Sequence, residues 1–195
     1  SQRGGSRQLA AHLNKTEENE HVELHEIRGF MADDVDGALH EAYAMSRGTR
    51  CTKFLFSVSL NPPETENVPI DKFEDALGRI ENKLGLENQP RVVVFHEKEG
   101  RRHAHCVWSR IKTDEMKAVH LSHYKNKLMD VSKQLYLENN WDMPKGFIDK
   151  NQKNPLNYTR QEWQQALRTG QNPKIIKASL QESWLISDSR KAFEH

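Results

Sequence analysis

Three histidines lie at positions where two neighbouring strands would meet. His96 ends an apolar run of valine and phenylalanine, and His103 and His105 lie in a second run that follows a turn at Gly100. Because side chains two residues apart on a strand point to the same face, His103 and His105 share a face. An antiparallel turn would fold His96 back beside His103. We therefore expect three imidazoles to meet on one side of a hairpin.

Such a cluster could bind a metal ion. Imidazole nitrogens bind Zn²⁺ at about 2.0–2.1 Å, and catalytic sites keep an open position on the ion, whereas structural sites close it. A single His-x-His pair is more often structural or incidental, so the prediction of metal binding depends on the third histidine, His96. One metalloprotease signature also contains His-x-His, but it requires Ser and Asp where this chain has Thr113 and Met116.

Periodic apolar residues predict the elements that must position this cluster. Alternation and short apolar runs predict strands at His21–Phe30, Thr52–Leu60, Arg91–His96 and His103–Ile111. Helical spacing predicts helices at Ser6–Leu13, after a cap at Asp33 or Asp34, at Ile70–Leu84 and at Leu121–Leu137. Strands and helices in mixed order predict an α+β fold, in which a central antiparallel β-sheet is covered by helices. A helix across the histidine face would be the natural place for another catalytic group.

The bulk composition limits the class of protein. The chain has 195 residues, a formal net charge of +1 and two cysteines, Cys51 and Cys106, without metal-type spacing. No run reaches the roughly 18 apolar residues that a membrane helix needs. We therefore expect a core at residues 1–145, a basic and mainly helical extension at residues 146–195, no membrane partner and a reducing cytoplasm. Both ends look cut, which suggests a fragment of a longer protein.

The charges are unevenly distributed along the chain. Pro144 to Ala178 holds seven bases against two acids, whereas Asn61 to Gly100 holds nine acids against five bases. Phe147, Tyr158 and Trp163 interleave with the bases of the first stretch. Nucleic-acid bases can stack on such rings. A solvated basic face without a ligand is the alternative interpretation.

The stretch from His96 to His105 resembles the third motif of HUH relaxases, the enzymes that nick a plasmid at its origin of transfer. In mobilization relaxases this motif has a histidine, an acid three residues later, and His-x-His at seven and nine residues; the corresponding residues here are His96, Glu99, His103 and His105. Phe54 to Leu60 resembles the strand that precedes this hairpin in the family. The resemblance covers roughly Arg3 to Ile111 and implies the HUH-endonuclease fold.

The first helix departs from the common family pattern. Most relaxases carry a catalytic tyrosine there, whereas Leu9 to Leu13 has His12 at that place. Some mobilization relaxases use a histidine nucleophile, so the resemblance implies that His12 is the nucleophile and that Glu99 orients it. A polar residue at a helix edge is the alternative role for His12. The rival nucleophiles are Tyr43, Tyr124, Tyr136 and Tyr158.

The resemblance also implies an activity. The implied activity is that of a metal-dependent nickase, which cleaves single-stranded DNA at the origin of transfer of a plasmid or integrative element. Such an enzyme stays covalently bound to the 5′-phosphate and later rejoins the strand. Mn²⁺ or Mg²⁺ would lie on the three histidines, and Zn²⁺ or Ni²⁺ could bind there as well. The expected DNA-contacting residues are Arg3, Arg7, Arg101, Arg102, Tyr158, Arg160 and Trp163.

The resemblance implies partners and a location as well. The expected partners besides DNA are accessory relaxosome proteins and the coupling protein of a type IV secretion system. The expected location is the bacterial cytoplasm, and the protein would be translocated to the recipient cell with the DNA. Two alternatives stay open. A replication initiator or transposase of the same superfamily would use the same chemistry, and a module that binds origin DNA would hold metal as a structural pin.

Overall fold

The computed structural model describes residues 1–14, 21–98, 100–149, 160–187 and 190. The chain forms two compact units, Ser1–Trp141 and Asp142–His195. The elements of the first unit, in chain order, are β1 (Gln2–Arg3), α1 (Ser6–Leu13), β2 (His21–Arg28), α2 (Val35–Ser46), β3 (Leu55–Leu60), α3 (Ile70–Leu84), β4 (Arg91–Lys98), β5 (Arg101–Ser109), β6 (Ile111–Lys112), β7 (Lys117–Ala118) and α4 (Tyr124–Glu138).

A five-stranded antiparallel sheet in the order β1-β3-β5-β4-β2 forms the centre of this unit. The sequence predicted four of its strands, and the structure adds the short edge strand β1. The β4–β5 hairpin is tighter than predicted, because Glu97 pairs with Arg102 and Lys98 with Arg101. The predicted α+β fold with a helix-covered antiparallel sheet is confirmed.

Helices cover both faces of the sheet. Alternate residues of a strand point to opposite faces, so each strand contributes to two cores. On one face, α1 and α2 pack on a cluster that includes Val92, Val94 and Val107. On the other face, α3 and α4 pack on a cluster that includes Val93 and Trp108. The result is three layers with an apolar core on each side of the sheet.

Local signals explain where two of these helices begin and end. The carboxylate of Asp34 accepts a hydrogen bond from the Gly37 amide at 2.8 Å and caps α2, so Asp34 rather than Asp33 is the cap. Gly85 ends α3 with φ of 70°, a left-handed conformation that glycine adopts without steric cost. Phe54 lies just before β3 and packs on the α1–α2 side, whereas Phe56, two residues later, packs on the other face.

A buried carboxylate connects α3 to the sheet. Glu81 is 5 % exposed and accepts hydrogen bonds from Arg28 at 2.7 Å, from Arg91 at 2.9 Å and from the indole of Trp108 at 2.7 Å. Arg91 also donates to Glu26. Buried charges need such partners because the interior does not solvate them.

The second unit contains α5 (Lys145–Ile148), α6 (Arg160–Arg168) and α7 (Pro173–Ile186). Asn172 caps α7 by accepting a hydrogen bond from the Lys174 amide at 3.0 Å. The two longer helices contact one another, and Lys177 pairs with Glu162 at 3.3 Å. Among the described residues of the chain, no helix has the length and apolarity needed to cross a membrane.

Replacing Glu81 with alanine should destabilise the fold strongly. The change removes the buried carboxylate that Arg28, Arg91 and the Trp108 indole share, so Arg91 keeps Glu26 as its carboxylate partner and the buried indole loses its acceptor. Breaking a buried pair costs roughly 3–5 kcal/mol. Urea denaturation would measure the free energy of unfolding. The matched control is Asp75→Ala on the same helix, which removes the exposed pair with Arg79 and should cost about 0.5 kcal/mol or less. Equal losses in the two variants would contradict the structural role of Glu81.

Candidate active site

The three histidines meet on the α1–α2 face of the central hairpin. His96 on β4 lies directly opposite His103 on β5, and His105 lies two residues further along the same strand. The ring centroids of His96 and His105 are 4.6 Å apart, those of His103 and His105 are 5.2 Å apart, and those of His96 and His103 are 5.4 Å apart. One nitrogen from each ring lies within 4.8 Å of the corresponding nitrogens of the others.

This cluster fits a divalent metal ion. Nitrogens bound to one ion at about 2.0–2.1 Å lie at most ~4.2 Å from each other, so small rotations of the side chains would complete the ligand set. Neutral imidazole suits ions such as Zn²⁺, Ni²⁺ and Fe²⁺. The three ligands come from two neighbouring strands of the sheet, and His103 and His105 are only half-buried, so another molecule can reach the cluster from their side.

Hydrogen bonds orient two of the three rings. The Nε2 of His96 lies 2.7 Å from the carbonyl oxygen of Leu13. Because a carbonyl can only accept, Nε2 carries the hydrogen and Nδ1 keeps the lone pair of the neutral ring. The Nδ1 of His105 lies 2.9 Å from the hydroxyl of Ser59, which leaves its Nε2 for a ligand bond. Such outer partners hold metal-binding histidines in position.

Electrostatics keep one ring of the cluster neutral. Burial, followed by repulsion from His96, His103, His12 and Arg3, lowers the pKa of His105 to about 3. The ring therefore carries no proton charge at neutral pH. Neutral imidazole is the form that binds a metal ion.

Helix α1 brings His12 to the edge of this cluster. Leu9 and Leu13 are four residues apart and bury one side of the helix in the core. His12 stays exposed, and its ring centroid lies 5.6 Å from that of His105. The hydrogen bond between the Leu13 carbonyl and His96 fixes the end of the helix against β4. Packing of one helix therefore sets the position of His12 relative to the histidine cluster.

The arginines predicted to contact DNA occupy different surroundings. Arg3 on β1 donates to the Ser57 hydroxyl at 3.1 Å, and its charge contributes to the low pKa of His105. Arg7 is exposed on α1. At the hairpin, Arg101 pairs with Glu64 at 3.2 Å. Arg102 pairs with Glu97 at 2.7 Å and lies 5.5 Å from the centre of the Phe95 ring.

Other predicted residues lie away from the cluster or outside the described part. Glu99, Tyr158 and the side chain of Arg160 lie outside the described residues. Trp163 is 43 % exposed and belongs to the second unit.

The three described tyrosines make ring contacts elsewhere. Tyr43 packs near Phe54, Tyr124 near Phe56 and Tyr136 near Trp141, with ring centroids 5.8, 5.3 and 5.5 Å apart respectively. The sequence interpretation named Tyr124 among the rival nucleophiles. In the structure it packs edge-on against the buried Phe56, on the face opposite the histidines.

The sequence interpretation missed Ser59 as a partner of the cluster. Ser59 lies on β3 directly opposite His105 of β5. A signal existed, because Ser57 and Ser59 alternate with apolar residues and so share one face of the central strand. The pairing of β3 with β5 decides which histidine Ser59 meets. The Leu13 carbonyl belongs to the backbone, so no residue type could have indicated it.

The sheet topology and the three histidines on β4 and β5 define the class of protein. A five-stranded antiparallel sheet between helices, with a histidine cluster on one face, is the HUH-endonuclease architecture. The chain belongs to the relaxase family: the family described as "Relaxase: MobA/VirD2-like, nuclease domain" matches residues 11–141. Membership supports a nicking role in general. Neither a curated protein nor a solved structure gives a significant match.

Replacing Ser59 with alanine should weaken metal binding without unfolding the chain. The variant loses the hydroxyl that orients His105, and loss of such outer partners typically lowers metal affinity by about 10–100-fold. Calorimetric titration with Mn²⁺ would measure the dissociation constant. Ser59→Thr keeps a hydroxyl and should retain most of the affinity. Unchanged affinity in Ser59→Ala would exclude this positioning role.

The low pKa of His105 predicts how stability depends on pH. The unfolded chain takes up a proton near the ordinary value of 6.5, whereas the folded ring does so near 3. Stability from this group is therefore complete above about pH 6.5 and declines as the pH falls toward 3. Urea denaturation of metal-free protein at pH 7 and pH 4.5 would show the decline. His105→Gln should reduce it, whereas His40→Gln on the exposed side of α2 serves as the control.

Proposed function

We propose that this chain is a site- and strand-specific DNA nickase that starts conjugative transfer. It would cleave one strand at an origin of transfer, keep the 5′-phosphate end and later rejoin the strand. The single observation that carries this proposal is the position of His12. The ring of an exposed histidine on α1 lies 5.6 Å from a cluster of three histidines that could hold a metal ion.

The open side of the cluster suits a phosphodiester. A divalent ion on His96, His103 and His105, with Mn²⁺ or Mg²⁺ as the proposed native ion, would supply positive charge to the phosphate oxygens. Zn²⁺ or Ni²⁺ would also suit these nitrogen ligands. Arg3 adds a further positive charge beside the cluster, since its charge is among those that lower the pKa of His105.

His12 would be the nucleophile. A lone pair of its ring nitrogen attacks the phosphorus, a P–N bond forms, and the bond from phosphorus to the 3′-oxygen breaks. The 3′-oxygen leaves and takes up a proton, so the product is a 3′-hydroxyl and a 5′-phosphate joined to His12. Glu99 is proposed to hold the His12 ring in the productive tautomer. Because the bond to the protein replaces the cleaved one, attack by a 3′-hydroxyl can reverse the step.

Exposed cations and aromatic rings would bind the single strand. Arg7 is exposed on α1, the helix of His12, and a phosphate could compete for Arg101 and Arg102 with their carboxylate partners. Tyr158, Arg160 and Trp163 are proposed to add stacking and charge, as expected for single-strand binding. The proposed partners are accessory relaxosome proteins and the coupling protein of a secretion system. The proposed location is the bacterial cytoplasm, from which the protein would be transferred to the recipient cell with the DNA.

A covalent adduct would test the nucleophile directly. The chain, Mn²⁺ and a single-stranded oligonucleotide carrying a transfer-origin nick site should give a product that survives denaturation. Mass spectrometry should place the 5′-phosphate on His12. His12→Ala should lower the rate of adduct formation by at least ~1,000-fold, since removing a covalent nucleophile costs factors of this order or more. Tyr124→Phe is the matched control and should react at the normal rate.

Other outcomes would change the interpretation. An adduct that persists in His12→Ala would exclude the nucleophile and leave the relaxase family unaffected. DNA binding with metal present but no adduct would favour a module that binds origin DNA without cutting it.

A further inference from the structure

Arg3 lies on the same face of the sheet as the three histidines. On the edge strand β1 it pairs with Leu55 of β3, and Leu55 belongs to the core on the α1–α2 face. Residues that lie directly opposite each other on antiparallel strands point to the same face, so the Arg3 side chain points to the histidine side. Ser57 and Ser59 follow Leu55 at steps of two residues and share that face. These side chains form a row that leads from β1 to the histidine cluster.

Ser57 sets the direction of the Arg3 side chain. The Nε of Arg3 donates to the Ser57 hydroxyl at 3.1 Å and to the Ser1 hydroxyl at 3.2 Å. The bond to Ser57 is partly buried, and a hydrogen bond shielded from water is electrostatically stronger than an exposed one. Both bonds use Nε, so this anchoring does not require the two terminal amino groups of the guanidinium.

The anchored guanidinium lies near the ring that Ser59 contacts. Side chains two residues apart on a strand, such as those of Ser57 and Ser59, are separated by about 6.6–7 Å. The Ser59 hydroxyl lies 2.9 Å from the Nδ1 of His105. The positive charge of Arg3 is among those that lower the pKa of His105, which agrees with this short separation. A phosphate group at the histidine cluster would therefore lie within reach of the Arg3 guanidinium.

The proposed reaction needs a cation at this position. Negative charge on the phosphate oxygens increases as the nucleophile attacks, and hydrogen-bond donors aimed at such oxygens stabilise the transition state. A planar guanidinium can donate two parallel hydrogen bonds to a phosphate, whereas an ammonium acts as a point charge.

On the condition that the nickase function proposed above holds, we propose that Arg3 is a catalytic residue and that Ser57 positions it. The guanidinium of Arg3 would donate to a non-bridging oxygen of the scissile phosphate. Because the charge on that oxygen is largest in the transition state, Arg3 would affect the rate of cleavage more than the affinity for DNA.

Single-turnover cleavage separates the chemical step from DNA binding. The full chain with Mn²⁺ reacts with an oligonucleotide that carries a transfer-origin nick site, and fluorescence anisotropy gives the dissociation constant. Arg3→Gln should lower the rate by about 100-fold or more, the order of magnitude for one lost donor to a transition-state oxygen. The affinity for DNA should fall only a few-fold. Arg3→Lys keeps the charge without the planar donor pair and should recover only part of the rate.

Variants of Ser57 test the positioning role. Ser57→Ala should lower the rate by about ten-fold, since a hydrogen bond to a charged group is worth roughly this factor or more. Ser57→Thr keeps a hydroxyl and should recover the rate. Calorimetric titration with Mn²⁺ should give the same dissociation constant for both variants and the unmodified chain. Arg50→Gln, which removes an exposed arginine between α2 and β3, is the matched control for charge and should cleave at the normal rate.

Sulfur substitution tests the contact itself. Replacing either non-bridging oxygen of the scissile phosphate by sulfur, a weak hydrogen-bond acceptor, gives two diastereomers. With one of them, the unmodified chain should lose rate and Arg3→Gln should show no such loss, because the variant has no guanidinium contact to weaken. Circular dichroism would show whether each variant folds. If Arg3→Gln does not fold, the same comparison is made with Ser57→Ala, in which the loss should be smaller than in the unmodified chain.

The outcomes separate this role from the proposed function. Equal effects of sulfur in the variant and the unmodified chain, for both diastereomers, would overturn the contact and leave the nickase standing. A loss of DNA affinity as large as the loss of rate would also contradict a transition-state role. If the unmodified chain gave neither cleavage nor a covalent adduct, the nickase and the role of Arg3 would be excluded together.

Discussion

The pairing register of β4 with β5 is the constraint on which the rest of the site depends. His96 lies opposite His103, and the alternation of the strand then places His105 on the same face. A slip of one residue would turn every side chain of one strand to the other face. The valines that share the histidine face, Val92 and Val94, are fully buried. The burial of apolar residues therefore holds the register that the histidines need.

Helix α1 packs on the same face of the sheet and adds His12 to the edge of the histidine cluster. Its apolar side packs into the core, and its last carbonyl, that of Leu13, accepts the hydrogen bond from His96. His96 is 2 % exposed, and a polar ring this deeply buried needs a partner. One hydrogen bond thus satisfies the buried ring, fixes its tautomer and holds the helix end that carries His12. Stability and the geometry of the candidate chemistry rest on the same contacts.

The two faces of the sheet have different roles. The histidine face is closed by α1 and α2 except at the strand ends, where His12, His103 and His105 are accessible to another molecule. The opposite face carries the buried Glu81 network, which joins α3 to β2 and β4. The candidate site therefore lies at the rim of one core, and the second core supports the strands from behind. At the edge of a core, polar side chains can lie close together and still contact solvent, so they avoid the free-energy cost of burial without a hydrogen-bond partner.

The sequence alone determined the α+β class and the histidine hairpin, because both follow from local spacing, and its motifs resemble those of the relaxase family, which matches residues 11–141. Strand alternation places histidines two apart on one face, and the helical stripe of Leu9 and Leu13 places α1 on the core. The tertiary structure alone decided what depends on distant segments. It brought Ser59 beside His105, the Leu13 carbonyl beside His96, and His12 to the cluster. These contacts depend on strand order and helix packing, which no local pattern encodes.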